Sequence, residues 1–305
     1  MLQCRMQTQL SMKGSSHLGD HIDIDWVVTC LRAQFRLGVI TDEISLDTKR
    51  AMDVAKDLEL ECVELRQGWG KNIKDFADSE LRKVRKMAKS AGLEIVCISS
   101  PLFKCDIDVD KEVRDHLRFL PRVVEITKFF DAELVRGFAF WIKEDRVQYW
   151  ETIIDRINEA VDLCESEGVT FALENEHSTF TGKEARELAK EIDSMNLSLL
   201  WDPGNAFVAG EKPYPDGYLQ VKDRMVHMHL KDVAVDPNME RSKFVAVGSG
   251  EIDYEGQFRS LAEDGYSGCI SIETHYRLRG DGEGSTRETH RGIMTILEKL
   301  GITRS

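Results

Sequence analysis

No stretch of this 305-residue chain approaches the roughly 18 consecutive apolar residues of a transmembrane helix, which excludes a helical membrane protein. Basic residues are the scarcer charge, 41 against 54 acidic, for a formal net charge of −13. A field of that sign repels phosphate backbones, so nucleic acid is a poor partner. The first residues lack the apolar core of a secretory signal. None of the seven cysteines, at 4, 30, 62, 97, 105, 164 and 269, has C-x-x-C spacing. An odd, scattered set without a signal reads as reduced thiols of a cytoplasmic protein. Cys62, Cys97 and Cys269 stand inside apolar runs, where cysteine acts as a small hydrophobe. Gly-x-Gly-x-x-Gly and phosphate-binding loops are missing after the first strand, which weakens an open, doubly wound sheet. Gly, Pro and Ser nowhere cluster into a linker, so a second domain is not expected.

What remains is an ordinary globular composition, 42% hydrophobic and 31% charged, in a chain long enough for one α/β barrel of roughly 250 residues plus an extension. Residues 1–34 form that extension. They carry Arg5 and Lys13 with almost no acid before Asp20, and residues 22–31 are open to a short helix. A poorly ordered extension or an upstream start is the expectation for residues 1–34, and no function is assigned to them. From Phe35 to Ser305, strand-like and helix-like runs alternate, as in a parallel α/β fold. Strands are expected at 36–40, 61–66, 94–99, 133–138, 169–174, 197–202, 225–230 and 269–273. Ser45 is placed to cap a helix reaching about 58, and further helices are expected near 79–90, 146–167 and 286–300. Another contains Leu117, Leu120, Val123, Val124 and Ile126, with Pro121 marking a kink or a start. Eight strands with helical segments between them and a terminal helix give the count of a closed (β/α)8 TIM barrel, with residues 35–305 as one domain.

The last four strands share one feature. Each ends in a metal-competent side chain: Glu174, Asp202, His229 and Glu273. Barrel strands present their C-terminal ends to the active-site face, so four such groups converge there. Strand alternation agrees. With Glu174 inward, Phe171 and Leu173 face the helices; with His229 inward, so is His227, and Met228 and Leu230 face out. Leu200, inward below Asp202, is the exception. Three carboxylates and one imidazole make a hard donor set. It favours Mn2+ first, then Mg2+ or Co2+, with Zn2+ also compatible.

Other side chains near strand ends are candidate substrate contacts, each with a plainer reading beside it. Arg66 shares parity with Glu64 and faces the mouth unless it forms a surface ion pair. Trp69 and Trp141 are placed to stack on a sugar face or to pack ordinarily. Arg136 reads as a carboxylate or phosphate ligand, or as the partner of an inward acid such as Glu64. His177 is a substrate contact or a solvated loop residue. His227, one layer below His229, reads as a buried, hydrogen-bonded histidine. Lys231 has inward parity, for an oxyanion or for the acidic cluster, and Asp232 organises its loop.

These pieces resemble the xylose-isomerase-like TIM-barrel superfamily of sugar phosphate isomerases and epimerases. The resemblance runs from about residue 37 to 300 on Leu37-Gly38-Val39-Ile40-Thr41-Asp42-Glu43, Val63-Glu64-Leu65-Arg66 and Leu173-Glu174-Asn175. It continues on Trp201-Asp202-Pro203-Gly204-Asn205, His227-Met228-His229-Leu230-Lys231-Asp232, Val247-Gly248-Ser249-Gly250-Glu251-Ile252-Asp253 and the run from Gly265 to Glu273. It implies one divalent cation on Glu174, Asp202, His229 and Glu273, with Glu174 and Glu273 as the catalytic acid/base pair. A metal chelated by a carbonyl and its neighbouring hydroxyl acidifies the intervening C–H and stabilises an enediolate. Asn205 departs from the pattern, since ketose epimerases of the family often carry His there. It retains hydrogen bonding to a substrate hydroxyl but cannot act as a cationic acid.

The expected function is therefore a metal-dependent isomerase or epimerase of a sugar, keto-sugar or sugar phosphate. The alternative is a lyase or hydratase acting on a 3-keto-glycoside or an inosose through the same enediolate. An apurinic-site endonuclease needs further histidines that this chain, with eight in all, lacks. A non-catalytic binding barrel has no reason to keep four ligands. Such barrels commonly pair, so a homo-oligomer is open.

Overall fold

The computed structural model of the protein describes residues 32–143, 145–176, 181–235 and 242–304, with the backbone of 7–8 and 26–27. Eight parallel strands close into a barrel. In chain order they are β1 (Arg36–Ile40), β2 (Cys62–Leu65), β3 (Glu94–Leu102), β4 (Leu134–Gly137), β5 (Thr170–Glu174), β6 (Leu197–Trp201), β7 (Met225–Leu230) and β8 (Cys269–Ile272). Each pairs with its sequence neighbours, and β8 pairs with β1 to close the ring. The main helices are α1 (Thr48–Asp57), α2 (Asp78–Ala91), α3 (Asp110–Phe129), α4 (Trp150–Ser166), α5 (Gly182–Ile192), α6 (Pro203–Val208), α7 (Tyr254–Glu263) and α8 (Gly282–Leu300). Among the described residues no helix is long and apolar enough to cross a membrane.

Strand alternation builds the core. Val39, Val63, Phe171, Leu199, Trp201, Met228, Leu230 and Ile270 are buried with the helices' apolar faces in one cluster. Burial of such side chains stabilises by about 1.5–3 kcal/mol each. Leu200 is buried but outside that cluster, as its inward parity requires.

Local details differ from expectation where side-chain chemistry outweighs pattern. The first cap is Asp47, not Ser45: its carboxylate accepts the N–H groups of Lys49 and Arg50, while Ser45 Oγ accepts the N–H of Asp47. Pro121 does not start α3, which runs from Asp110 to Phe129; Leu120, Val123 and Val124 are buried around it, and that packing holds the helix through the proline. Trp26–Val27, inside the span expected to be helical, pairs antiparallel with Gln7–Thr8; the rest of residues 22–31 lies outside the described residues. Arg32–Ala33 pairs in parallel with Thr303–Arg304, and Ala33 is fully buried, so the packed body takes in residues ahead of Phe35.

The cysteines also depart from the reduced state expected. Cys62 on β2 and Cys269 on β8 form a disulfide inside the barrel floor, whereas Cys97, Cys105 and Cys164 are free and buried. The two bonded residues flank β1, where the inward position is Gly38. A Cβ on Gly38 would lie 2.7 Å from the Sγ of Cys269 and 2.9 Å from that of Cys62. The missing side chain is what lets the bridge pass over the strand between them, a relation that spacing along the chain does not reveal.

Gly38→Ala is therefore expected to destabilise the fold by about 1–3 kcal/mol, the usual range for overpacking a filled core. Denaturant unfolding measures this. Peptide mapping without reductant should recover Cys62 and Cys269 as one cross-linked pair in the wild type. Unchanged stability in the variant would contradict the close approach.

Candidate metal centre

Each of the four predicted ligands is aimed by its own strand end. Glu174 closes β5, and the next residue, Asn175, exchanges hydrogen bonds with the backbone of Asp202 at 2.8 and 2.9 Å, tying the ends of β5 and β6 together. Asp202 caps α6. Pro203 takes the first helical position, Asp202 Oδ1 accepts the N–H of Asn205 at 2.8 Å, and Oδ2 is left facing the barrel axis. The Asp-Pro-Gly-Asn run thus serves a helix start and a ligand with one residue. His229 points inward from β7, and Glu273 follows β8 directly with its N–H on the carbonyl of Leu230.

One atom from each of Glu174, Asp202, His229 and Glu273 lies within 4.8 Å of all the others, and all four side chains are buried. His229 Nδ1 is 3.2 Å from Glu174 Oε1, 3.3 Å from Glu273 Oε2 and 3.8 Å from Asp202 Oδ2. Glu174 Oε2, Asp202 Oδ2 and Glu273 Oε2 have no hydrogen-bond partner. Each is instead ion-paired: Lys231 Nζ stands 2.8 Å from the last two, and Arg136 is 3.3 Å from Glu174 Oε2. Three buried carboxylates converging on one imidazole nitrogen are a donor set that fits a hard divalent ion.

The electrostatics are those of a site short of positive charge. Burial opposes ionisation of Glu174, but His229 and Arg136 outweigh it and hold the carboxyl at about 2. Burial likewise opposes the charge on Glu273, and Lys231, His275 and His229 together pull it well below the carboxylate range. Asp202 goes the other way: burial raises it, Lys231 only partly offsets this, and the neighbouring carboxylates add to the rise. Burial disfavours the His229 cation, yet Glu64, Glu174 and Glu273 raise its pKa well above that of free histidine.

The remaining predicted residues divide. Arg66 points inward but is engaged in a network, pairing with Asp42 at 2.9 Å, Glu43 at 2.6 Å and Glu273 at 2.6 Å. It is no surface pair. Arg136 pairs with Glu174 at 3.3 Å rather than with Glu64, and it donates to the carbonyls of Ser99 and Ser100. Asn205 donates to Glu174 Oε1 at 3.3 Å and accepts from Lys231 Nζ at 3.1 Å, so it links a ligand to the buried ammonium. Lys231 is itself buried within the acidic cluster. Asp232 gathers the N–H groups of Val233, Gly248, Gly250 and Ile252 and so folds the following loop. His227 is buried and hydrogen-bonded to Glu64. Trp69 stacks on Phe76 at 5.3 Å between centroids, and neither it nor Trp141 lines the cavity. His177 lies outside the described residues.

A cavity of about 690 Å³ is lined by two of the four ligands, Glu174 and Glu273. Phe138 and Phe244 supply its aromatic lining instead of the two tryptophans, joined by Lys104, Lys243 and His275. Sequence reasoning passed over these. Phe244 and Lys243 sit on a two-stranded hairpin, Asp232–Val235 with Ser242–Val245, which has no counterpart in the alternating barrel pattern. His275 had a signal, since it stands two residues after Glu273; its Nε2 is 3.1 Å from Glu273 Oε1. Glu43, Glu273 and His275 also approach one another, but the Arg66 guanidinium already bonds both glutamates there.

A sequence profile for the xylose isomerase-like TIM barrel matches residues 52–296. The chain belongs to that family. An inosose dehydratase of Geobacillus thermodenitrificans is 29% identical over 143 residues, which is 41% of this chain and 46% of that protein. The chain spans about half the length of the curated relatives it matches. Among solved structures, the IOLI protein with a binding zinc atom superposes with a TM-score of 0.71 at 17% identity, covering 87% of this chain and 99% of that one. A D-allulose 3-epimerase from Methylomonas sp. gives 0.68 at 13% identity, covering 88% of this chain and all of that one (100%). At these identities the structural likeness is one of fold.

A divalent ion bound at these four residues would favour the folded state, because the unfolded chain does not bring them together. Mn2+ at about 100 times its dissociation constant is expected to stabilise the fold by about 2.7 kcal/mol. Thermal unfolding with Mn2+ and then with a chelator reads the difference. Asp202→Asn should abolish the shift, and a shift that survives in that variant would move the ion elsewhere.

Proposed function

We propose that this chain is a divalent-metal-dependent isomerase or epimerase of a sugar, keto-sugar or sugar phosphate, working by proton transfer beside a carbonyl. The observation that carries the reading is the approach of two glutamates from different strands, Glu174 and Glu273, to one imidazole nitrogen at 3.2 and 3.3 Å. The ion, when bound by Glu174, Asp202, His229 and Glu273, supplies polarisation of a carbonyl and its neighbouring hydroxyl. The hard donor set favours Mn2+, with Mg2+, Co2+ and Zn2+ as other occupants.

The chain's own groups do the rest. One of Glu174 and Glu273 takes the proton from carbon, and the other returns it to the same or the neighbouring carbon. Arg136 at 3.3 Å from Glu174 and Arg66 at 2.6 Å from Glu273 pair with the two carboxylates. Asn205 and Lys231 line the cavity, where a substrate oxygen would compete for their existing bonds. Phe138 and Phe244 cover the apolar face of a sugar ring and keep water from the reacting carbon.

A second reading, dehydration of an inosose, is favoured by similarity to several inosose dehydratases, the one from Geobacillus thermodenitrificans at 29% identity. It begins with the same proton removal. A hydroxyl on the next carbon then leaves with a proton from a nearby acid, as water. Lys231 and His275, at 2.8 and 3.1 Å from Glu273, are the groups placed for that donation.

Solvent-deuterium exchange with Mn2+ across ketoses, sugar phosphates, 3-keto-glycosides and inososes tests both. Exchange with retention of all atoms supports the first reading, and exchange with loss of water supports the second. Glu174→Gln and Glu273→Gln should each slow exchange about 10²–10⁴-fold, the usual contribution of a positioned acid or base. Exchange into no member of the panel would sink the proton-transfer reading.

A further inference from the structure

Glu64 is a buried acid that the four-ligand site does not use. It sits on β2, faces inward and is fully buried. Among the described residues its ion-pair partners are histidines alone, with no Lys or Arg. Leaving a carboxylate in such a place costs several kcal/mol unless hydrogen bonds satisfy it. Its bonds are specific. Oε1 meets His227 Nε2 at 2.6 Å, Oε2 meets the hydroxyl of Ser99, and His229 Nε2 is 3.3 Å from both oxygens.

The two nitrogens of His229 therefore face two different sets of carboxylates. Nδ1 faces Glu174, Asp202 and Glu273, and Nε2 faces Glu64. An imidazole that ligates through Nδ1 carries its remaining proton on Nε2, and an ionised carboxylate only accepts. Metal-bound histidines are regularly oriented by such an outer acceptor. We propose that Glu64 is a positioning residue: it holds the Nε2 proton and the ring plane of His229, so that the Nδ1 lone pair points at the metal. His227 and Ser99 hold Glu64 in turn. This rests on the metal-site reading above. Glu64, His227 and His229 are also close enough to hold an ion themselves. That arrangement would make His229 a bridge between two metals, and ion counting separates the two cases.

The test uses the full chain with Co2+ and Zn2+ alone. Glu64→Gln keeps the shape but removes the obligate acceptor. It is expected to weaken metal affinity about 10–100-fold in chelator competition and to shift the visible spectrum of bound Co2+. A merely structural role would lower the unfolding temperature and leave affinity and spectrum unchanged, which would overturn the proposal. Should the variant not fold, nitrogen-15 histidine NMR of the Zn2+-loaded wild type decides: zinc on Nδ1 with a proton on Nε2 supports it, and zinc on Nε2 overturns it. Two ions per chain overturn it as well. A wild type that takes up neither ion removes the metal reading itself, whereas normal uptake with an unaltered Glu64→Gln variant removes only the role of Glu64.

Discussion

Buried negative charge governs the upper half of this barrel. Glu174, Asp202 and Glu273 are all almost completely buried within a few ångströms of one another. Carboxylates so placed repel, and each has lost its water, so the arrangement holds only with compensating positive charge. The chain supplies three cations from three strands: Arg66 just after β2, Arg136 within β4 and Lys231 just after β7. His229 is the shared centre. The rise in its pKa and the fall in those of Glu174 and Glu273 express the same attraction seen from opposite sides. Asp202 moves upward because burial and its acidic neighbours outweigh Lys231. A divalent ion is the natural completion of such a set, since it replaces shared protons with fixed charge.

The frame that holds this charge is rigid for ordinary reasons. Large apolar residues of alternate strand positions meet the helices, leaving the inward positions for small or polar groups. At the floor these are Gly38, Cys62, Cys97 and Cys269, and at the next level His227, Ser99 and Glu64. The loops above are tied by single acidic residues that collect backbone N–H groups. Asp232 does this for residues 248–252, where Gly250 lies so close that a Cβ would meet its carboxylate at 2.2 Å. Asp202 does it for the start of α6 while serving the site.

Much of this was legible in the sequence because it depends on periodicity. The strand spans, the closure into eight, and the inward parity of Glu64, Arg66, His227, His229 and Lys231 all follow from a repeat of two. What depends on contacts between distant strands was not. Arg136 was open to pairing with Glu64, and it meets Glu174 instead because neighbouring β5 presents that carboxylate. Trp69 and Trp141 were open to stacking on a sugar or to ordinary packing; Trp69 packs on Phe76, and the aromatic lining comes from Phe138 and Phe244, the latter from a hairpin that interrupts the barrel pattern. The Cys62–Cys269 bond joins residues 207 apart across an intervening strand, and only the missing side chain of Gly38 makes it feasible. Asn205, a departure from the family's epimerases, turns out to join Glu174 to Lys231.

The chemistry follows from the same crowding. On the proposed reading, Glu174 and Glu273, whose carboxyls stay acidic despite burial, would serve as bases beside a polarised carbonyl in a cavity lined by Phe138 and Phe244. Anomalous diffraction at the manganese edge, from crystals soaked in Mn2+, tests this most directly. One peak is predicted, within about 2.5 Å of Glu174, Asp202, His229 Nδ1 and Glu273, the range for oxygen and nitrogen ligands. A peak that excludes any of the four, or none in a protein that still exchanges substrate protons, would contradict it.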